Sequence, residues 1–319
     1  MVWGVPIVWY LFLAGLGAGA YATSVVVAHT RPEAIALRRA GRLIAPAVVA
    51  VGLVLLMMDA EAGFKNPLRF FYLISNLDSV MAWGVIILSV FMVISLLTLA
   101  LDFWGKRRVP RALEYCGLAA ALATAAYTGV LLGVVQTFPL WNTAVLPVLF
   151  MVSAASTGIA SVVLTGCFVG NNRARNTHLL ERTRLALPCV EVVLVVALLA
   201  VVQANPVGNG AGAASVAAIT TGSYAPLFWI GLVVVGLAFP IAISVYELRR
   251  GNTRGTASTK AIASADDAAG VANASDTAAA SNTANSGTAI GLTAAAEAGV
   301  LIGGFILRFL VVMAALPLS

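Results

Sequence analysis

Apolar residues in this sequence of 319 residues occur in long runs rather than in alternation. The runs fall near 6 to 28, 42 to 60, 80 to 101, 112 to 135, 146 to 168, 186 to 204, 225 to 246 and 293 to 315. A run of about 18 residues or more with few charges, wound as a helix, crosses a hydrocarbon core of about 30 Å. The pattern therefore predicts an all-α, polytopic membrane bundle with eight transmembrane helices. A further stretch, 207 to 222, reads VGNGAGAASVAAITTG. Its Gly, Ser and Thr content makes it a poor span and a better loop or re-entrant element.

The polar positions between the runs test this count. Basic side chains are retained on the cytoplasmic side of short loops. After span 1 come Arg31, Arg38, Arg39 and Arg42; after span 3, Lys106, Arg107, Arg108 and Arg111; after span 5, Arg173, Arg175, Arg182 and Arg184; after span 7, Arg249, Arg250, Arg254 and Lys260. The even loops hold only Lys65 and Arg69, after span 2. Eight spans with both termini outside satisfy this alternation, and a ninth would break it. Residues 1 to 250 then form spans 1 to 7 of the bundle, and 293 to 319 add span 8. Between them, 251 to 292 is rich in Ala, Ser, Thr, Asn and Gly and reads as a disordered cytoplasmic linker. The triplet Asn273, Ala274, Ser275 within it matches a glycosylation pattern, and on an inner face that match is chance. The first run has no basic residues ahead of it, so it reads as a retained helix and not a signal peptide.

Composition agrees. Hydrophobic residues make up 61% and charged ones 10% of the sequence, against about 25% charged in soluble domains. A net charge of +6 from 19 basic and 13 acidic residues could suggest nucleic acid. Because the basic residues gather in alternate loops, the charge is a topology signal, and no nucleic-acid partner is expected.

Few side chains offer redox or metal chemistry. His29 and His178 lie outside the spans, as solvated loop residues, so no axial pair for a membrane haem is evident. Cys116, Cys167 and Cys189 are isolated, without the spacing of a zinc or iron-sulfur site, and read as small buried hydrophobes. No haem, iron-sulfur cluster or metal is expected in this protein. Gly15, Gly17 and Gly19 imitate a dinucleotide fingerprint, but mid-span they mark close helix packing, as do Gly129 with Gly133 and Gly299 with Gly303.

Ionisable groups at membrane depth cost a few kcal/mol each unless paired or hydrated. Asp59 and Glu61 stand at the outer end of span 2, Glu191 in the inner part of span 6, and Arg308 in the outer half of span 8. Asp59 or Glu61 is the expected partner of Arg308, as a structural ion pair or in proton movement. Glu191 either snorkels inward or belongs, with Glu297, to an inner proton route. In span 4, Thr124, Tyr127 and Thr128 interrupt an apolar helix, and Ser153, Ser156 and Thr157 lie at similar depth in span 5. A membrane tyrosine is a packing residue, or one that offers a hydrogen bond to a ligand carbonyl from apolar surroundings.

Four stretches share an order with a known family: WGVPIVWYLFLAGLGAGAY at 3 to 21, NPLRFFYLISNLDSVMAWG at 66 to 84, YTGVLLGVVQTFPLWNTAVLPVLFMVSAASTG at 127 to 158, and GGFILRFLVV at 303 to 312. In these the sequence resembles the polysulfide reductase membrane subunits, also called NrfD-like or PsrC-like proteins. The resemblance implies a cofactor-free subunit in the cytoplasmic membrane. Such a subunit anchors an exported, four-cluster ferredoxin-like iron-sulfur subunit on the outer face, joins a molybdopterin catalytic subunit through it, and exchanges electrons with quinone, here through menaquinol oxidation. It implies that Tyr127, flanked by Thr124 and Thr128, meets the quinone headgroup, and that Asp59 is a proton acceptor. Relatives carry Asn and His on the first helix beside this tyrosine; here Tyr10 and Trp9 remain. The turn after span 2, DAEAGFKNP, keeps Asp59, Pro67 and Arg69 at a longer spacing. The competing readings are a secondary transporter, with breaks at Pro188, Pro226 and Pro240, and a structural anchor whose quinone site has decayed.

Overall fold

The computed structural model describes residues 4–59, 78–104, 109–168, 178–205, 210–249 and 275–317, with side chains for all of these except 59, 178–181 and 275–289. In sequence order the helices are α1 (Val5–Thr30), α2 (Ile35–Asp59), α3 (Val80–Phe103), α4 (Arg111–Gly133), α5 (Val145–Phe168), α6 (His178–Ala204), α7 (Ala211–Thr220), α8 (Leu227–Arg249) and α9 (Ser275–Met313). All except α7 contain an apolar span long enough to cross a membrane, which makes eight among the described residues. The stretch set aside as a poor ninth span holds α7. Its 10 residues rise only about 15 Å, half the thickness a span requires. Pro46 and Pro188 lie inside α2 and α6 without ending them, and Pro240 likewise falls within α8.

Helix polarity alternates, so one end of the bundle, the basic end, gathers the basic loops. The opposite end gathers Val5, Asp59, Val80, Gly133, Val145, Ala204, Leu227 and Met313.

Two helices hold the bundle together. α1 lies against α2, α4, α5 and α9, and α5 lies against α1, α2, α4, α6 and α9. Small residues permit these approaches. A Cβ on Gly19 would stand 1.8 Å from the Ala154 carbonyl oxygen, and one on Gly17 would meet Val49 of α2 at 2.5 Å. The α8 and α9 backbones touch where Gly236 faces Gly303, a Cβ on either meeting the other's Cα at 2.5 or 2.4 Å. Here α8 is wound as a π-helix over Leu227–Ala238, with the Phe239 N–H reaching five residues back to the Val234 carbonyl. Of the glycine pairs read from sequence, Gly299 and Gly303 both face α8, whereas Gly129 packs on Pro147 and a Cβ on Gly133 would stand in ordinary contact, 3.5 Å, with the Trp141 carbonyl oxygen.

The outward faces are apolar, with Val54, Val93, Leu97, Val193, Val196 and Ile230 all exposed, as suits a surface solvated by lipid. Cys116 and Cys189 share that exposure. This corrects their reading as buried residues: in lipid a small apolar side chain loses nothing by facing outward. Of the expected linker, 251–274 falls outside the described residues. The remainder, 275–292, continues into α9; its alanines carry the highest helix propensity.

Candidate functional site

Three helices build a tyrosine pocket near the opposite end. Tyr127 lies six residues before the end of α4, Tyr10 five residues into α1 and Gly84 four residues into α3. At 1.5 Å per residue all three stand about 6 to 9 Å inside the helix ends. The Tyr127 ring fills the gap that Gly84 leaves: a Cβ there would stand 1.9 Å from the phenol oxygen. Both tyrosines are buried, at 7% exposure for Tyr127 and 2% for Tyr10. No described residue hydrogen-bonds either phenol, and their surroundings are the apolar core of the bundle. Two phenols in one apolar core, without hydrogen-bond partners among the described residues, can each donate to, or accept from, a ligand oxygen placed beside them.

The other residues expected beside Tyr127 are used differently. Thr124 and Thr128 are fully buried, but their hydroxyls donate along their own helix, to the Ala120 carbonyl at 2.9 Å and the Ala125 carbonyl at 2.7 Å. They pack beside the pocket and have no free donor for it. Trp9 is 41% exposed and turns away, with its ring centroid 4.3 Å from that of Phe305 on α9. Pocket residue Tyr10 and lipid-facing Trp9 are adjacent in sequence, and about 100° of helix rotation separates them.

A second polar group lies between α5, α6 and α9. Arg308, fully buried, donates through Nη1 to Ser153 Oγ at 3.1 Å and to the Gly304 carbonyl at 2.9 Å. The Phe12 and Phe150 rings cover it at 5.7 and 5.2 Å. Nη2 fits against Gly15, where a Cβ would stand 2.6 Å away. Glu191 of α6 is buried as well, and its charge acts on Arg308. One expectation is corrected here. Glu191 does not snorkel; it is 4% exposed and nine residues beyond Arg182, where its span begins, because the helix starts before its apolar stretch does. And the described partners of Arg308 are on α5, α6 and its own helix, since a side chain leaning toward its helix N-terminus points into the bundle. The Asp59 side chain and all of Glu61, expected as its partners, lie outside the described residues.

At the basic end, charges that sequence inspection assigned to loops are buried. Arg42, 1% exposed, bridges Asp102 of α3 at 3.3 Å and Glu114 of α4 at closer range. Arg38 joins Asp102 at 3.1 Å, and His29 Nε2 stands 3.7 Å from Glu114. His29 lies in the last turn of α1, with Nδ1 2.9 Å from the Val25 carbonyl oxygen, and is not a simple solvated loop residue. The His178 side chain is not among those described. Arg184 pairs with Glu297 and, at 3.4 Å, with Glu247. The single-residue inspection of loops missed these networks. Spacing held a usable signal on α9, where Glu297, Gly304 and Arg308 recur at intervals of seven and four and so share one face.

A sequence profile described as "Polysulphide reductase, NrfD" matches residues 1–272. The C subunit of polysulfide reductase from Wolinella succinogenes is 32% identical over 271 residues, covering 77% of this protein and 83% of the relative. Protein NrfD of Escherichia coli is 29% identical over 279 residues, covering 78% and 86%. A NrfD homolog of Haemophilus influenzae is 24% identical over 284 residues, covering 77% and 84%. The protein belongs to the NrfD polysulphide reductase family, as its ordered motifs had suggested, and is a multi-pass membrane protein.

Proposed function

From that membership we propose that this protein is the integral membrane subunit of a respiratory oxidoreductase complex in the cytoplasmic membrane, exchanging electrons with the quinone pool by oxidising menaquinol. The opposite end faces outward, by the positive-inside rule. There it anchors a four-cluster, ferredoxin-like iron-sulfur subunit and, through it, a molybdopterin catalytic subunit. A relative whose name makes it one component of a polysulfide reductase supports membership of an assembly of several polypeptides.

The single observation that carries the quinone reading is the pair of buried tyrosines whose hydroxyls no described residue hydrogen-bonds, one helical turn or two inside the opposite end. A quinone ring is planar and apolar with an oxygen at each end. It suits a pocket that is greasy at its walls and offers hydroxyls where the oxygen must lie. Tyr127 Oη accepts a hydrogen bond from the quinol hydroxyl, or donates one to the quinone carbonyl, and Tyr10 stands beside it in place of the first-helix Asn and His of relatives. Asp59 and Glu61, near the same end by sequence, are proposed to receive the released protons. The redox chemistry belongs to the quinol and to the partner's clusters; this protein binds, orients and excludes water.

The test is quinol oxidation by the purified complex carrying Tyr127→Phe. One lost hydrogen bond of about 0.5 to 1.5 kcal/mol predicts a fall in kcat/KM of about 2- to 10-fold, with the complex still assembled. An unchanged rate and unchanged inhibitor binding would remove Tyr127 from the headgroup site.

A further inference from the structure

Arg39 of α2 stands apart from the buried charges beside it. Its carboxylate, Asp102 of α3, is shared with Arg38 at 3.1 Å and Arg42 at 3.3 Å, and Arg39 Nε is the farthest of the three at 3.9 Å. At that distance it makes an ion pair and no hydrogen bond. The set holds three guanidiniums against two carboxylates, Asp102 and Glu114, and His29 beside Glu114 can only add to the positive side. The side chains of Arg38 and Arg42 are largely withdrawn, whereas that of Arg39 is 63% exposed. The surplus positive charge is therefore carried at the surface.

That surface faces lipid. Ile35 and Leu43, one turn to either side of Arg39 on the same helix face, are both exposed. Phe103 and Trp104, directly after Asp102 at the end of α3, are the most exposed kind of aromatic residue, as in the belts that sit at headgroup level. Arg39 lies four residues beyond Ile35, where α2 begins, which is about 6 Å along the axis. A side chain on a helix leans toward its N-terminus, here the basic end. The stem thus lies among acyl chains while the guanidinium reaches the depth of the phosphates.

We propose that Arg39 is the headgroup site of one anionic phospholipid at the basic end of the bundle. Its planar fork donates to two phosphate oxygens. The Trp104 indole N–H supplies a further donor at the glycerol level, and the acyl chains run along Ile35 and Leu43. A headgroup with one negative charge cancels the surplus that Asp102 and Glu114 leave. A zwitterionic lipid brings an ammonium that restores the surplus, and a free phosphate has no chains for the apolar flanks. The bound lipid adds to the tie between α2 and α3 that Asp102 makes within the protein. No residue of the tyrosine pocket takes part, so the site survives or fails separately from the quinone assignment.

Native mass spectrometry tests it on the purified full-length protein, released from detergent with phosphatidylglycerol or phosphatidylcholine at matched ratios. Wild type retains one phosphatidylglycerol about 5-fold or more in preference to phosphatidylcholine. Arg39→Gln abolishes the preference, and Arg39→Lys, which keeps the charge in case Gln disturbs folding, retains part of it. Arg31→Gln, at another exposed arginine of the same end, leaves the preference within about 2-fold of wild type. A wild type that binds the two lipids alike overturns the proposal, as does an Arg39→Gln protein with the wild-type preference. Equal losses in Arg31→Gln and Arg39→Gln overturn it in favour of the general charge of that end. Displacement of phosphatidylglycerol by inorganic phosphate overturns the lipid assignment in favour of a free anion.

Discussion

Arg42 and Arg308 are both withdrawn from water, and they are held in opposite ways. Arg42 stands where two carboxylates, Asp102 and Glu114, converge on it from α3 and α4, with Arg38 and His29 alongside. Arg308 has one hydroxyl, one backbone carbonyl and two aromatic faces, and the carboxyl that acts on it, Glu191, makes no direct ion pair with it. The first arrangement ties α2 to α3 and α4 by direct charge pairing. Each leaves a buried donor unused, Arg42 its Nε and Arg308 its Nε and Nη2, but only the second has a carboxyl that it does not pair with directly. Burial of an arginine is therefore not by itself a functional sign; what matters is whether its partners use up its charge.

The comparison can be broken by removing each cation. Arg42→Met takes the shared cation from two buried carboxylates, leaving Asp102 to Arg38 and Glu114 to the more distant His29, and its expected cost is the largest, about 3 to 5 kcal/mol, read from thermal unfolding in detergent. Arg308→Met strands only Glu191, which escapes by binding a proton, so a smaller loss of about 1 to 3 kcal/mol is expected in the same assay. Equal losses would mean that the two sites are held alike. Adding Glu191→Gln to Arg308→Met should return part of the loss, because both members of the pair are then uncharged; a coupling of at least about 0.5 kcal/mol in the double-mutant cycle marks the interaction. The smallest expected effect is that of Gly15→Ala. Its Cβ would stand 2.6 Å from Arg308 Nη2, the mobile end of a long side chain, so a loss near the low end of the about 1 to 3 kcal/mol for overpacking is expected. A loss well above that range would show that the guanidinium cannot move.

The spans were legible because lipid imposes a composition: eight apolar runs became eight crossings, and Gly, Ser and Thr in 207–222 kept α7 short. The close approaches of α1 were legible as well, since Gly17 and Gly19 admit backbone contacts that any larger residue would block. Less of the candidate site could be read. Trp9 and Tyr10 look equivalent in sequence and face different surroundings in the bundle. Thr124 and Thr128 look like ligand groups until their hydroxyls are found bonded to their own helix. That Glu191 is buried among helices rather than reaching outward could not be read from its place in the span.

The amino-acid sequence by itself determined the class of molecule, the number of crossings, their alternation and the family, because hydrophobic length, loop charge and ordered motifs are properties that can be read one segment at a time. Only the tertiary structure decided that Tyr10 and Tyr127 are buried in one apolar core, that Arg42 joins Asp102 and Glu114, and that Arg308 reaches Ser153 and the charge of Glu191. In each of those sets the members come from different helices. Their meeting depends on how the helices rotate and approach, which small residues far away in sequence control and hydropathy does not record.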